Sequence, residues 1–471
     1  MRMPVLTLTT ILIVVYGLVS RRYDRALALG GATPAGVAIT AGTVGVPTFS
    51  AVALAVPALL MAAALRRSRD RSLGLVLEPR RPIPGMMLLL GFFVWSLFVT
   101  LLAPIAFDGL VPASATGNVL SAGTVTPSNI AQLTYLLLGI CVVAYLARLP
   151  HTGPEIIGLS LAIAIGLSTW RLVSTWTGLF FPEGVFDNSP TYNFIETAPG
   201  GALRFRGIFS EPSALAGVAL VAVAYGVARA AHVRGLRRWG CLLLAGVSVY
   251  LGILSTSTTF IVAGGIIAAI ALVALVLGFI ARRTRVGLWA AIAASAIGVA
   301  AIWVVPLLVS LVTTLVEDKV NTSSFEDRSG SDARSLEVLM ETFGMGAGLG
   351  ANRGSAFLPS LLGATGVIGA VLLFAAIVVI AARAVDVPVM RPAIWSLVAV
   401  IVAKLIAGPD LSDPTGALWI CLGLLAGAGL RARAADAPLN PVNAVNAVNA
   451  VAAPIAPTAP SARVFGSATH V

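Results

Sequence analysis

Residues 361–382 read LLGATGVIGAVLLFAAIVVIAA. No charged side chain interrupts the stretch, and Arg383 closes it. As a helix rising ~1.5 Å per residue it would extend roughly 30 Å, the thickness of a bilayer's hydrocarbon core. A buried strand is much shorter, and a half-buried strand alternates apolar with polar residues, which this stretch does not do. In lipid every backbone N–H and C=O must pair within its own segment, so such a run predicts a spanning helix.

The same reading extends along the chain. Runs long enough to span, or nearly so, occupy 4–20, 26–43, 48–65, 84–103, 128–147, 154–174, 210–231, 239–254, 258–280, 286–308, 361–382, 392–408 and 414–430. The 471 residues are 58% hydrophobic and only 11% charged, and their mean hydropathy is +0.95. A water-soluble domain of this size has to face solvent with more polar residues than that. The expectation is an all-α polytopic protein of about 12–13 spans, residues 1–433, with partly helical external loops. Segment 4–20 reads as a retained first helix, because its positive flank is only Arg2 and no small-x-small cleavage site precedes Arg21. Segment 26–43, with four Gly and one Pro, is the weakest. It reads as a span, as a re-entrant segment, or as part of one irregular unit over 26–65.

Charge orients the spans. Alternating from Arg66, Arg67, Arg69, Arg71, Arg80 and Arg81, one side also receives Arg148, Arg229, Arg234, Arg237, Arg238, Arg282, Arg283, Arg285, Arg383, Arg391, Arg431 and Arg433. The other side receives only Arg171, Arg204, Arg206, Arg328, Arg334, Arg353, Lys319 and Lys404. Positive charge is retained in the cytoplasm, so the first side is cytoplasmic and the C-terminus lies there. Most carboxylates fall on the opposite side. The expected localisation is the cell membrane, multi-pass. Thirteen spans place the N-terminus outside, and twelve place it inside.

Three outward connections are long enough to fold: 104–127, 175–209 and 309–360. A chain that concentrates its polar residues on one face is expected to work on that face. The net charge of +11 lies in short clusters flanking apolar runs, as membrane anchors do, which argues against nucleic acid. Cys141, Cys241 and Cys421 sit inside apolar runs, and His151, His232 and His470 flank spans or lie in the tail. Neither set has metal-ligand spacing, and no cofactor is expected. Residues 434–471, with a VNA repeat and scattered Pro, read as a disordered cytoplasmic tail.

Two loops carry candidate chemistry. The first is RFRGIFSEPSALAG, 204–217. Arg204 and Arg206 serve either as headgroup anchors or as guanidinium forks for a phosphate or pyrophosphate. Ser210 is the expected helix N-cap, with Glu211 in the first turn and Pro212 at an early position. Glu211 is a helix-end carboxylate or a functional one. Gly207 would let the backbone approach a substrate closely. In the second loop a helix is expected from Asp332, as N-cap, to about Phe343. Arg334, Glu337 and Glu341 then share a face at i, i+3, i+7. That face suits phosphate binding with hydroxyl activation, and suits an ordinary solvated surface equally. Glycines 344, 346, 348 and 350 lead to Arg353. They lack the G-x-x-x-x-G-K-[ST] pattern of a nucleotide loop. Arg171 and Lys404, near outward span ends, either snorkel to the interface or contact substrate.

The pattern resembles the O-antigen ligase and polysaccharide polymerase superfamily of membrane glycosyltransferases. The first loop looks like that family's R-x-x-G-x-F motif before a Pro and a helix: Arg204, Gly207, Phe209 and Pro212. The E-P-S-x-x-A sequence, Glu211 to Ala216, is similar to exopolysaccharide and capsule polymerase members. In the second loop Arg334 precedes an amphipathic helix, then G-M-G-A-G-L-G (Gly344–Gly350) and L-L-G-A-T-G-V-I-G (Leu361–Gly369). The resemblance covers roughly 84–430. Ligase members carry a His in the long loop. Here no His lies between His232 and His470, and the equivalent stretch reads A-N-R-G-S with Arg353. The polymerase branch therefore fits better. The resemblance implies metal-independent glycosyl transfer between polyprenyl-diphosphate-linked oligosaccharides, a donor and an acceptor, on the external face. It implies a clamp of Arg204, Arg206, Arg334 and Arg353 on the leaving diphosphate, with Glu211 or Glu337 as base. Arg171, Gly207, Lys404 and Glu341 are the expected substrate contacts. A flippase and a chain-length regulator are the implied protein partners. The rivals are a ligase moving a finished glycan to another acceptor, and a transporter or flippase of lipid-linked solutes.

Overall fold

The computed structural model describes residues 5–41, 44–73, 80–113, 119–189, 194, 196, 204–282, 323–411, 413 and 415–435. Helices dominate: α1 (Val5–Val19), α2 (Tyr23–Gly30), α3 (Thr48–Ala53), α4 (Val56–Ser72), α5 (Met86–Ala106), α6 (Pro127–Arg148), α7 (Glu155–Thr177), α8 (Pro212–Ala230), α9 (Leu236–Leu254) and α10 (Thr258–Arg282). They continue with α11 (Ser323–Glu341), α12 (Phe357–Ala384), α13 (Arg391–Ile406) and α14 (Ala417–Ala435). Among the described residues nine helical segments are long and apolar enough to cross a membrane, α3 and α4 together counting as Thr48–Ser72. Helix α1 is apolar but shorter. The protein is an all-α polytopic membrane protein. The expected span 286–308 lies outside the described residues, as does the tail from 436 onward.

Side-chain exposure identifies the surrounding solvent. On α5, Leu89, Phe92, Ser96, Val99 and Ala103 are buried, while Met87, Leu90, Val94, Phe98, Leu101 and Ile105 are exposed. Both sets recur at three to four residues, so opposite faces of one helix are apolar. A helix that is apolar all round faces lipid wherever it does not face protein.

Segment 26–43 is not a spanning helix. Helix α2 ends at Gly30, and an antiparallel pair, β1 (Val37–Ala41) and β2 (Val44–Pro47), follows. The pair is tied to the loop after α7: the Val37 N–H donates to Asn188 Oδ1 at 2.7 Å, and Asn188 Nδ2 donates to the Val37 carbonyl at 3.1 Å. Gly30, Gly31, Pro34 and Gly36 stop the helix, and a Cβ at Gly31 would collide with the Thr415 carbonyl. The irregular-unit reading of 26–65 matches what forms.

Helix α14 packs at the centre, with Leu418, Trp419, Ile420, Cys421 and Leu422 wholly or almost wholly buried. Its close partner is α6. A Cβ at Gly139 would stand 2.5 Å from the Trp419 ring, and a Cβ at Gly423 2.8 Å from that of Leu146. Small residues let these helices approach, the usual device where lipid offers no hydrophobic drive for association. A second unit begins at Arg431, and only its residues 431–435, the end of α14, are described.

The glycine run 344–350 is a strap on α12. The Ala347 and Gly348 N–H groups donate to the Gly363 and Ala364 carbonyls at 2.8 and 2.9 Å, and Val367 donates back to Gly344 at 3.0 Å. Helix α12 breaks at Gly366, with φ 68° and ψ −171°, where Gly346 presses against its backbone. All four alternate glycines of the run have positive φ, which explains their spacing. Two expected helix starts are corrected. Helix α11 begins at Ser323, so Asp332 lies inside it. Helix α8 is N-capped by Glu211 and not Ser210, and no side-chain cap bond forms.

Candidate functional site

The ten candidate residues fall into three groups and not one clamp. The first surrounds Gly207. Arg206 donates from Nε to Glu196 at 2.8 Å, from Nη2 to Asp187 at 2.7 Å and from Nη1 to the Phe209 carbonyl at 2.8 Å. Its guanidinium carbon stands 4.9 Å from the Phe194 ring centroid. Arg171, from α7, joins the same acids: Nη2 reaches Glu196 at 2.8 Å and Nη1 reaches Asp187 at 3.5 Å. It also donates to the Gly207 carbonyl at 2.5 Å. The Arg206 side chain is only 6% exposed. Two cations and two anions thus neutralise one another and staple the loop after α7 to the start of α8. Gly207 lets this packing form. Its φ is +57°, and a Cβ there would lie 2.5 Å from Ser168 Oγ on α7. Arg204 points toward the α9–α10 turn, where its Nε meets Thr256 Oγ1 at 3.1 Å and its Nη2 the Thr256 carbonyl at 3.3 Å.

The second group is the predicted face of α11. Arg334 bonds Glu337 at 3.0 Å and Glu341 at 2.8 and 3.0 Å. Its Nε and Nη2 donate to the Val111 carbonyl at 2.9 and 2.7 Å. All five guanidinium donors are engaged, and the bonds to Glu341 and then Glu337 hold its proton more firmly than usual. The i, i+3, i+7 grouping formed as expected. Its third contact, to the loop after α5, was not legible.

The third group surrounds a cavity. Lys404, one turn from the end of α13, donates to the Asp410 carbonyl at 2.8 Å and stands 3.6 Å from Asp413. It lies 5.8 Å from the Phe357 ring centroid. Arg353, whose side chain is 59% exposed, meets Asp410 at 3.2 Å through Nη2. Its own backbone is fixed, because its N–H donates to the Ala113 carbonyl at 2.6 Å. Asp413 is buried and caps α14 by accepting from the Leu418 N–H at 2.6 Å. Asp332 holds the following segment: it accepts from the Ser355 and Ala356 N–H groups at 2.6 and 3.0 Å. Helix α11 thereby holds the two residues that lead into α12, a contact that the sequence did not reveal.

Arg353, Lys404, Glu211 and Asp410 all line one cavity of about 420 Å³. It continues between α7, α8 and α13 past Leu161, Ala164, Val218, Val221 and Val400. Its lining thus combines charged and apolar side chains. Ser213 Oγ, also on its wall, is buried without a hydrogen-bond partner. A cavity of about 90 Å³ adjoins it and shares Arg353, Pro409 and Asp410. Asp187, Glu196, Ser213 and Ser360 escaped the sequence reading. The two acids had a signal: 175–209 holds carboxylates as well as arginines. The two serines had none.

Fold and cavity together define a polytopic helical membrane protein with a cavity lined by both charged and apolar side chains. No protein-family model matches the chain, and no curated protein matches it.

Proposed function

We propose that the protein is a membrane glycosyltransferase that polymerises polyprenyl-diphosphate-linked oligosaccharides on the external face of the cell membrane. The observation that carries this reading is the large cavity. Arg353, Lys404 and Glu211 line it together with apolar side chains of α7, α8 and α13, a combination of charge and hydrocarbon that suits a lipid diphosphate. The outward orientation is supported by the arginine distribution.

The three groups divide the work by how firmly their cations are held. Arg206 and Arg171 are committed to Asp187 and Glu196, and freeing a buried cation of this kind costs about 3–5 kcal/mol. They are positioning residues. Arg334 is held by several hydrogen bonds on a solvent-exposed face, and it holds α11 against the loop after α5. Arg353 is held by one exposed carboxylate contact, worth at most about 1 kcal/mol. A diphosphate outcompetes that contact readily. Arg353 therefore receives the leaving group, with Lys404 as the second cation. The acceptor hydroxyl oxygen attacks the anomeric carbon of the donor. The bond from that carbon to the phosphate oxygen breaks, and the lipid diphosphate departs with the electron pair. Glu211 takes the hydroxyl proton. Fixed guanidinium and ammonium charge favours the departing anion. A flippase supplying the substrate and a chain-length regulator are the expected partners.

A transporter is the second reading, because non-helical backbone at 407–411, 413, 415 and 416 lies beside paired charges, as in discontinuous-helix transporters. Glycan profiling of a deletion strain, with and without the wild-type gene, separates the readings. A polymerase leaves one repeat unit accumulating when it is deleted. Polymer still made but unattached marks a ligase, and an unaltered glycan removes the enzyme reading.

A further inference from the structure

The smaller cavity differs from the larger in chemistry. Ser128 and Gln132 of α6 and Ser360 of α12 line it together with the Phe357 ring. Apart from the shared Arg353 and Asp410, no lining residue carries a charge. Ser360 Oγ is buried, the residue being 5% exposed, and it has no hydrogen-bond partner among the described residues. A hydroxyl left unpaired in a protein interior costs about 1–3 kcal/mol, so a polar occupant is its natural complement. The space admits several water-sized groups, enough for one edge of a pyranose ring. Uncharged hydroxyl and carboxamide groups around an aromatic face suit a saccharide, whose ring presents hydroxyls at its edge and C–H groups on its face. They suit a phosphate less, because the one cation on this lining is Arg353, which the larger cavity shares. The wall between the two cavities is the Arg353–Asp410 pair.

We infer that the smaller cavity is a saccharide subsite that receives the acceptor's terminal sugar, while the larger cavity holds the donor's lipid diphosphate. This rests on the glycosyltransferase reading above. The Arg353–Asp410 contact is the partition between the two: when Arg353 turns to the diphosphate, the partition opens and the acceptor hydroxyl faces the donor carbon. Ser360 and Gln132 bind the acceptor sugar, and the charged side chains of the larger cavity do not.

The test uses purified full-length protein in lipid nanodiscs. The donor is a polyprenyl-diphosphate-linked oligosaccharide from the host, and the acceptor is the same oligosaccharide released from its lipid. Ser360→Leu fills the smaller cavity. It is expected to raise the acceptor concentration for half-maximal transfer about tenfold or more, the scale of a mismatched side chain in a subsite. The half-saturating donor concentration stays within about twofold. Gln132→Leu, on the facing helix, gives the same pattern and guards against a folding defect in the first variant. If donor and acceptor requirements move together, or neither moves while the wild type transfers, the subsite assignment is overturned and the glycosyltransferase reading stands. A wild-type protein that transfers nothing overturns that reading, and the subsite falls with it.

Discussion

Replacing Arg353 by alanine is expected to lower glycan elongation about a hundredfold or more without lowering the amount of protein in the membrane. The expectation follows from how the residue is held. Its side chain is largely exposed and, among the described residues, has a single carboxylate partner, Asp410, so little folding free energy depends on that pair. Its backbone is anchored by the N–H bond to Ala113, and alanine keeps that bond. What disappears is a preorganised cation on the cavity wall. Lysine at this position should recover part of the activity, since a point charge replaces a fork that grips a diphosphate in two places. Elongation in cells, read against membrane protein level, is the measurement. Equal elongation by wild type and Arg353→Ala would contradict the assignment.

Arg206→Ala should behave in the opposite way. Removing this guanidinium leaves Asp187 and Glu196 with only Arg171 between them and deprives the Phe209 carbonyl of its donor. Loss of one partner from a buried ion network costs about 3–5 kcal/mol. The protein should melt earlier in detergent and accumulate poorly in membranes. A second change, Asp187→Asn, should restore part of the lost stability, because a buried carboxylate that has lost its nearest cation is worse than a neutral amide. Full stability with lost activity would instead make Arg206 a group that touches substrate. Thermal unfolding of both variants, beside the wild type, decides between the two roles.

The spanning helices were legible because lipid imposes a simple code: long runs without charge must be helices. Segment 26–43 was ambiguous for the same reason. It is apolar enough to span, but its glycines and proline break the backbone, and a β-pair held by Asn188, more than a hundred residues away, decides the outcome. The face of Arg334, Glu337 and Glu341 was legible from spacing alone, since helical period is local. The division of the arginines was not. Arg204, Arg206 and Arg353 look equivalent in sequence, and only distant acids distinguish a committed guanidinium from an exchangeable one. Arg206 has Asp187 and Glu196 at close range, whereas Arg353 has Asp410 at its exposed edge. Gly207 likewise could be read as permissive backbone, but the side chain it makes room for, Ser168, belongs to α7. Ser213 and Ser360 carry no local signal at all. Their significance lies in being buried without a hydrogen-bond partner on a cavity wall.

The central claim is that a polyprenyl diphosphate sits with its head between Arg353 and Lys404 and its hydrocarbon between α7, α8 and α13. Equilibrium binding of a radiolabelled short-chain polyprenyl diphosphate to the purified protein measures this directly. Saturable binding to the wild type, weakened about tenfold or more in Arg353→Ala with Lys404→Ala, is the predicted result. Binding of equal strength in the double variant, or none by a well-folded wild type, would contradict the account.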